Sequence, residues 1–232
     1  MIPHLGKSLL VATLLVLAAS PSTSLHADEP AAPSTNPAPM PPAEPLDPAA
    51  CDATWRTLFE TVAAQGAVFS TFTERRWFSV RKEPVVLQGE LRHSPERGLC
   101  LRYVKPEEQM MIIDTQGILL RNAAGRQRAL KTDPRAPQVD TMLLHVLRFD
   151  MAALHRLFEI RAAREVDRWK LEFTPRTPEL ARAVGRLTVE GEATAVRRLE
   201  FSRGPKQRVE VQIGETRTGV TFTAEEFAKF FR

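Results

Sequence analysis

The sequence predicts an α+β domain built on a single antiparallel sheet of about eleven strands, accompanied by roughly three or four helices. Two observations lead there. Beyond Gly66 the apolar spacing changes from the helical period to alternation and keeps it for most of the chain, and the alternating runs are joined by short turn-forming stretches that suit hairpins. One long segment, Val139 to Phe158, returns to helical spacing. A sheet of that many strands cannot stay flat, because strand twist curls it, and its concave side then has to be filled.

The domain does not use the whole chain of 232 residues. Residues 1–27 read as a signal peptide: Lys7 supplies a positive start, and Ser8 to Ala19 is an apolar run shorter than the ~20 residues that span a bilayer. Residues 28–50 hold eight prolines and no aromatic side chain, the composition of an extended linker. Residues 51–232 remain, enough for one domain with a core of its own.

Cys51 to Gln65 opens that domain as an amphipathic helix. Trp55, Leu58, Phe59 and Val62 share one side, Asp52 stands at the N-cap position, and Gly66 is the stop. Ala67 to Val80, Val85 to His93, Leu99 to Tyr103, Met110 to Ile113, Ile118 to Arg121 and Arg126 to Leu130 follow as strands, with turns at Arg81–Pro84, Pro95–Gly98, Asp114–Gly117 and Asn122–Gly125. Asp133 to Pro137 leads into the helical segment, whose Met142, Leu143, Val146, Leu147, Met151, Leu154 and Phe158 form a broad apolar stripe with an expected kink near Asp150. Strands resume at Trp169 to Thr174. Thr177-Pro178-Glu179 starts a short helix to Val184, and Leu187 to Glu190, Ala195 to Phe201, Gln207 to Ile213 and Val220 to Phe222 complete the sheet. Thr223 to Glu226 has the form of a capping box opening a last helix with Phe227, Phe230 and Phe231.

Met110 to Ile113 stands out because it is apolar on both faces while its neighbours alternate apolar and charged. Such a strand makes sense if one face packs on a supporting layer and the other lines a hollow closed by helices. Methionine fits a space whose contents change shape, although ordinary core filling gives the same pattern.

No chemistry of an enzyme is legible. There is no GxSxG, GxGxxG or P-loop; His93, His145 and His155 lack the spacing of a metal set, so neither cofactor nor metal is expected; and Glu107-Glu108 reads as a solvated turn. The first 50 residues carry one basic residue and four acidic ones, so residues 51–232 carry 31 basic and 24 acidic, a net +7. The charges are scattered over strand faces rather than gathered, which argues against nucleic acid and for anionic lipid or an acidic protein partner. Cys51 and Cys100 can pair in an exported chain, closing a loop worth about 4 kcal/mol; alternatively Cys100 is a small buried hydrophobe.

The order of features resembles the periplasmic outer-membrane lipoprotein carriers, the LolA-like family. The resemblance rests on Val68-Phe69-Ser70-Thr71-Phe72-Thr73-Glu74, on Gly89-Glu90-Leu91 before Ser94-Pro95, and on Leu99-Cys100-Leu101-Arg102-Tyr103 followed by Lys105-Pro106-Glu107-Glu108. The Asp114–Gly117 turn continues it, with Trp169 to Pro175 and Pro178 to Ala181 in the second half. It implies a strongly curved, incomplete β-barrel whose concave face is apolar and covered by helices, and which binds the acyl chains of a lipoprotein, a glycolipid or another lipid. Burial worth ~0.8 kcal/mol per methylene lets such a chain leave a membrane. It further implies a monomer in the periplasm, working between membrane-bound donor and acceptor proteins. Candidate wall and cover residues are Phe72, Leu91, Leu99, Leu101, Tyr103, Met111, Ile113, Leu143, Leu147, Leu154, Trp169 and Phe173. The family's arginine before the proline matched to Pro95 is replaced here by Ser94, which leaves the cargo open to other acylated or polyene-bearing envelope molecules. A non-carrier binding or sensory module of the same fold, acting through a protein partner, is the alternative; it would have a shallow or filled hollow.

Overall fold

The structure, a computed structural model, describes residues 40–130 and 139–232. The expected leader, residues 28–39 and the lead-in from Asp133 to Pro137 lie outside them. A short strand β1 (Glu44–Pro45) precedes helix α1 (Ala53–Ala63). Strands β2 (Val68–Trp77), β3 (Val85–Ser94), β4 (Gly98–Lys105), β5 (Gln109–Asp114), β6 (Gly117–Asn122) and β7 (Gln127–Ala129) form a meander. Helices α2 (Val139–Leu147) and α3 (Met151–Leu157) interrupt it. A second meander runs through β8 (Phe158–Glu165), β9 (Arg168–Pro175), β10 (Arg186–Glu192), β11 (Ala195–Gly204) and β12 (Gln207–Thr218), with α4 (Pro178–Ala183) between β9 and β10. Helix α5 (Ala224–Phe230) follows.

Among the described residues all strands join in one twelve-stranded antiparallel sheet, ordered β1-β8-β9-β10-β11-β12-β2-β3-β4-β5-β6-β7 and not closed on itself. The two meanders meet where β12 pairs with β2, setting Ile213 opposite Phe72 and Val211 opposite Glu74. Register shifts in β3, β10, β11 and β12 add local twist to the middle of the sheet.

Two glycines let the sheet bend around aromatic rings. Gly89 lies between Phe72 on β2 and Tyr103 on β4 in one cross-strand row; a Cβ there would sit 2.6 Å from the Phe72 ring and 2.4 Å from the Arg102 carbonyl. Phe72 therefore crosses over the glycine and meets Tyr103 edge-on, with ring centroids 5.3 Å apart. In the other half the Trp169 ring lies over Gly191, where a Cβ would approach to 2.0 Å, and its indole N–H donates to the Ala193 carbonyl at 2.9 Å. An aromatic laid over a glycine restores packing that the missing side chain cannot supply.

Alternation gives the sheet two different faces. On the concave face the second meander and helices α1 to α4 build one core cluster around Trp169, Phe158, Phe173 and Leu187, while β2 to β6 and α2 build another around Phe72, Leu99, Met111 and Ile113. On the opposite face Cys100, Ile112 and Leu119 pack beneath α5 with Phe222, Phe230 and Phe231. This explains the doubly apolar strand. In β5, Met111 and Ile113 face the concave side and Ile112, fully buried, faces α5. Covering helices thus lie on both faces, not only on the concave one.

Several predicted boundaries change. The expected kink near Asp150 is a full break: Phe149 adopts φ 49°, and the Asp150 side chain caps α3. Phe158 does not end a helix but begins β8, because Phe158, Ile160 and Ala162 alternate inward with Glu159 and Arg161 outward. Val220 to Phe222 forms no strand; Phe222 packs under α5 instead. The tail of the proline-rich segment belongs to the fold, since Ala43 is buried, Glu44 and Pro45 pair with β8, and the Leu46 N–H donates to the Ile160 carbonyl at 2.9 Å. Asp52, Thr177 and Thr223 cap their helices as expected, the last within a complete capping box. Cys51 and Cys100 are both free thiols: Cys51 belongs to the concave core and Cys100 packs on the other face of the sheet. Burial pushes the Cys100 thiol up to about 12, so it remains protonated and inert.

Gly89→Ala and Gly191→Ala are each expected to destabilise the fold by about 1–3 kcal/mol through overpacking against Phe72 and Trp169, read as a lower midpoint in chemical denaturation with an unchanged slope.

Candidate functional site

The concave face is the largest apolar surface the fold organises. Its two clusters touch at β12, where Val211 packs against both. All twelve residues singled out from the sequence lie on this face. Phe72, Leu91, Leu99, Tyr103, Met111 and Ile113 are buried in the cluster of the first meander, with Leu101, Leu143 and Leu147 half-buried against it. Leu154, Trp169 and Phe173 lie in the other cluster. The covering residue buried deepest over β5 is Leu144, one position along from the predicted Leu143, a difference of helical phase.

The cover is tied down at its break. An aromatic relay runs from Trp55 and Phe59 on α1 through Phe149 to Trp169 on β9, with centroid spacings of 5.8, 6.2 and 5.6 Å. His145 Nδ1 lies 3.1 Å from an Asp150 carboxylate oxygen. Arg148 donates to the Pro95 carbonyl at 2.8 Å. Ser94, in the place of the arginine expected by resemblance, accepts from the Arg97 N–H at 3.3 Å, so here an arginine reaches the same proline from the cover instead.

Among the described residues the concave face is closely packed against its cover. A cavity of about 50 Å³ remains between α1, Leu147 at the end of α2, and β2, β3, β11 and β12, lined in part by Ser70, Leu91, His93 and Thr216. That is room for one or two water molecules. A larger open hollow of about 520 Å³ lies on the other side of the sheet, between β12, β2 and β3 at Gly214 and Gly89, but its rim of Thr71, Thr73, Gln88, Glu90 and Gln212 is polar.

Two polar features sit within the apolar face. His93 is buried beside the small cavity, and its Nε2 has no hydrogen-bond partner among the described residues. Burial, reinforced by the Arg148 charge and partly offset by a backbone hydrogen bond with Gly66, lowers its pKa from 6.5 to about 4, so the ring is neutral near neutral pH. The second feature is a buried set of three. Arg76 Nε donates to Glu74 Oε1 at 2.5 Å, the Tyr103 hydroxyl donates to Glu74 Oε2 at 2.9 Å, and Arg76 Nη2 donates to the Tyr103 oxygen at 3.4 Å. Burial raises the pKa of Glu74, opposed by Arg76 and the Tyr103 hydrogen bond. Sequence reasoning picked out Tyr103 but not its two partners. The signal was there, since alternation puts Glu74 and Arg76 on the same side of β2 as Phe72.

The chain's similarity to known proteins falls on this same architecture. Residues 46–226 match the family described as outer membrane lipoprotein carrier protein LolA-like. The chain belongs to the LolA-like family. Solved structures with a similar fold include a LolA superfamily protein from Nitrosomonas europaea, at 8% identity over 74% of this chain and 96% of that one with a TM-score of 0.41. A putative outer membrane lipoprotein-sorting protein domain from Vibrio parahaemolyticus, at 9% identity, covers 75% and 94% with a TM-score of 0.43. LprF from Mycobacterium bovis, at 13% identity, covers 74% and 96% with a TM-score of 0.37. A comparison with curated proteins gives no match. Among the described residues of this LolA-like chain, no group of three His, Cys, Asp or Glu could hold a metal ion, and no helix is long and apolar enough to cross a membrane.

The His93 pKa lies below its unfolded value, so between about 6.5 and about 4 the unfolded chain binds the extra proton and stability falls as pH falls. Glu74, raised by burial, acts in the opposite sense. Denaturant titrations across this window should show wild type losing up to about 3 kcal/mol more than His93→Gln.

Proposed function

We propose that this chain is a periplasmic carrier that binds the acyl chains of a lipoprotein or other lipid on its concave face and moves them between envelope membranes. It acts as a monomer and hands cargo from a membrane-bound donor to an acceptor, with neither cofactor nor catalysis. Residues 1–27 are the cleaved signal, residues 28–50 are largely tether, and residues 51–232, together with the few residues that precede them in the sheet, are the carrier domain.

One observation carries this reading: an apolar face that spans both meanders, its two clusters meeting at Val211, is covered by short helices interrupted at Phe149 and Asp150, rather than by one continuous element. Helices broken at that point can lift as a unit, and cargo then takes the place of Leu143, Leu144 and Leu147 against Leu101 and Met111. Family membership supports the same reading. The small size of the cavity between α1, Leu147 and β2, β3, β11 and β12 favours a second one, a binding or sensory module of this fold that works through a protein partner and holds no lipid.

The deciding experiment is native mass spectrometry of the full chain expressed in a bacterial host, exported, and recovered without detergent. Bound lipid or acyl species, lost in Leu101→Asn/Leu147→Asn while the melting transition persists, is the expected outcome. Protein that carries no lipid and takes up no fluorescent fatty acid would sink the carrier reading in favour of the module.

Arg148→Ala should free the cover. Losing one net hydrogen bond of about 1 kcal/mol raises the open population about fivefold, seen as faster uptake of a fluorescent fatty acid in stopped flow.

A further inference from the structure

We propose that Glu74, Arg76 and Tyr103 form a polar reading site on the floor of the concave face, selecting cargo whose apolar body carries an uncharged hydrogen-bonding group, a hydroxyl or an amide. The inference rests on the carrier reading above and specifies what that carrier prefers.

Position is the first argument. Glu74 pairs across strands with Val211, the residue that packs against both clusters, and Tyr103 shares the Phe72–Gly89 row. The three groups thus lie along the line where the two halves of the apolar face meet, beneath anything that occupies it. All three are buried: Glu74 is 4% exposed, Tyr103 5% and Arg76 6%.

Physical chemistry gives the second argument. A face that held only hydrocarbon would be served as well by apolar side chains, since a buried ion pair seldom adds net stability over apolar residues of similar volume. A charged pair kept inside a ligand-binding face is a reason to look for a group it meets.

The ligand class follows from charge and hydrogen-bonding capacity. Carboxylate and guanidinium cancel, so the site offers no net attraction to a phosphate or free carboxylate. Among themselves the three groups use two of the roughly four acceptor positions of a carboxylate and two of the roughly five N–H donors of a guanidinium. Acceptor and donor capacity side by side suits a group that both donates and accepts, as a hydroxyl or a secondary amide does. Fixed orientation adds selectivity: the Tyr103 ring is held by Phe72 at its edge and by the Arg76 guanidinium carbon 5.5 Å from its centroid.

The test uses two neutral probes of equal length, methyl palmitate and its mid-chain hydroxylated analogue, competing against a fluorescent naphthylamine bound to the full exported protein. Wild type should prefer the hydroxylated ester about tenfold, the size of one net hydrogen bond formed away from water. Glu74→Leu/Arg76→Met/Tyr103→Phe should bind plain methyl palmitate at least as well as wild type and lose the preference. If that variant does not fold, Tyr103→Phe alone should reduce the preference in the same direction. Equal binding of the two esters by wild type, or an equal loss of both in the variants, would overturn the inference while leaving the carrier intact. Binding of neither ester by wild type would overturn the carrier reading and this inference together.

Discussion

An open twelve-stranded sheet has to bury one whole face without the help of closure, and the rest of this molecule is arranged around that constraint. Curling brings the ends of the face toward each other, but strands bearing large side chains resist it. The two rows in which an aromatic ring crosses a glycine, Phe72 over Gly89 and Trp169 over Gly191, relieve that resistance once in each half.

What curls must then be covered, and the manner of covering separates this chain from an ordinary two-layer domain. Four helices share the concave side, and the break between α2 and α3 is secured by specific contacts: the Asp150 cap, the aromatic relay through Phe149 and the Arg148 bond to Pro95. The opposite face is treated differently. There α5 seals β4 to β6 with Phe222, Phe230 and Phe231, and the Arg232 guanidinium grips Asp114 through two 2.6 Å contacts. One face is thus held by a packed cap and an ion pair, the other by short helices with a built-in discontinuity. The more apolar side is the one whose cover is interrupted.

Much of this was legible in the sequence because alternation and capping are local. The strands, the three N-caps and the turn at Asp114–Gly117 follow from residue type and spacing, and so does placing Phe72, Met111 and Trp169 on one face. What failed was non-local. Phe158 satisfies the helical stripe before it and the alternation after it, so the sequence alone could not say where one period yields to the other. Cys51 and Cys100 could be paired on paper only because spacing does not reveal that a sheet lies between them. Glu74 and Arg76 were not singled out, although their phase already placed them beside Phe72; burial of a charge depends on a partner elsewhere in the chain, here Tyr103, 29 residues from Glu74. The packing of α2 and α3 against the concave face joins segments far apart in the chain, which no single segment encodes.

The outermost strands have a consequence of their own. A sheet that does not close leaves two rows of backbone N–H and C=O groups available to any passing strand, a hazard for a protein crowded among unfolded polypeptides. Among the described residues one margin is β1, only Glu44 and Pro45, and proline has no N–H to offer; the other is β7, three exposed residues that include Arg128. Each margin presents too short a template for another chain to extend. Margins this short disfavour edge-to-edge pairing, and lengthening either would be the simplest way to turn this fold into a polymer.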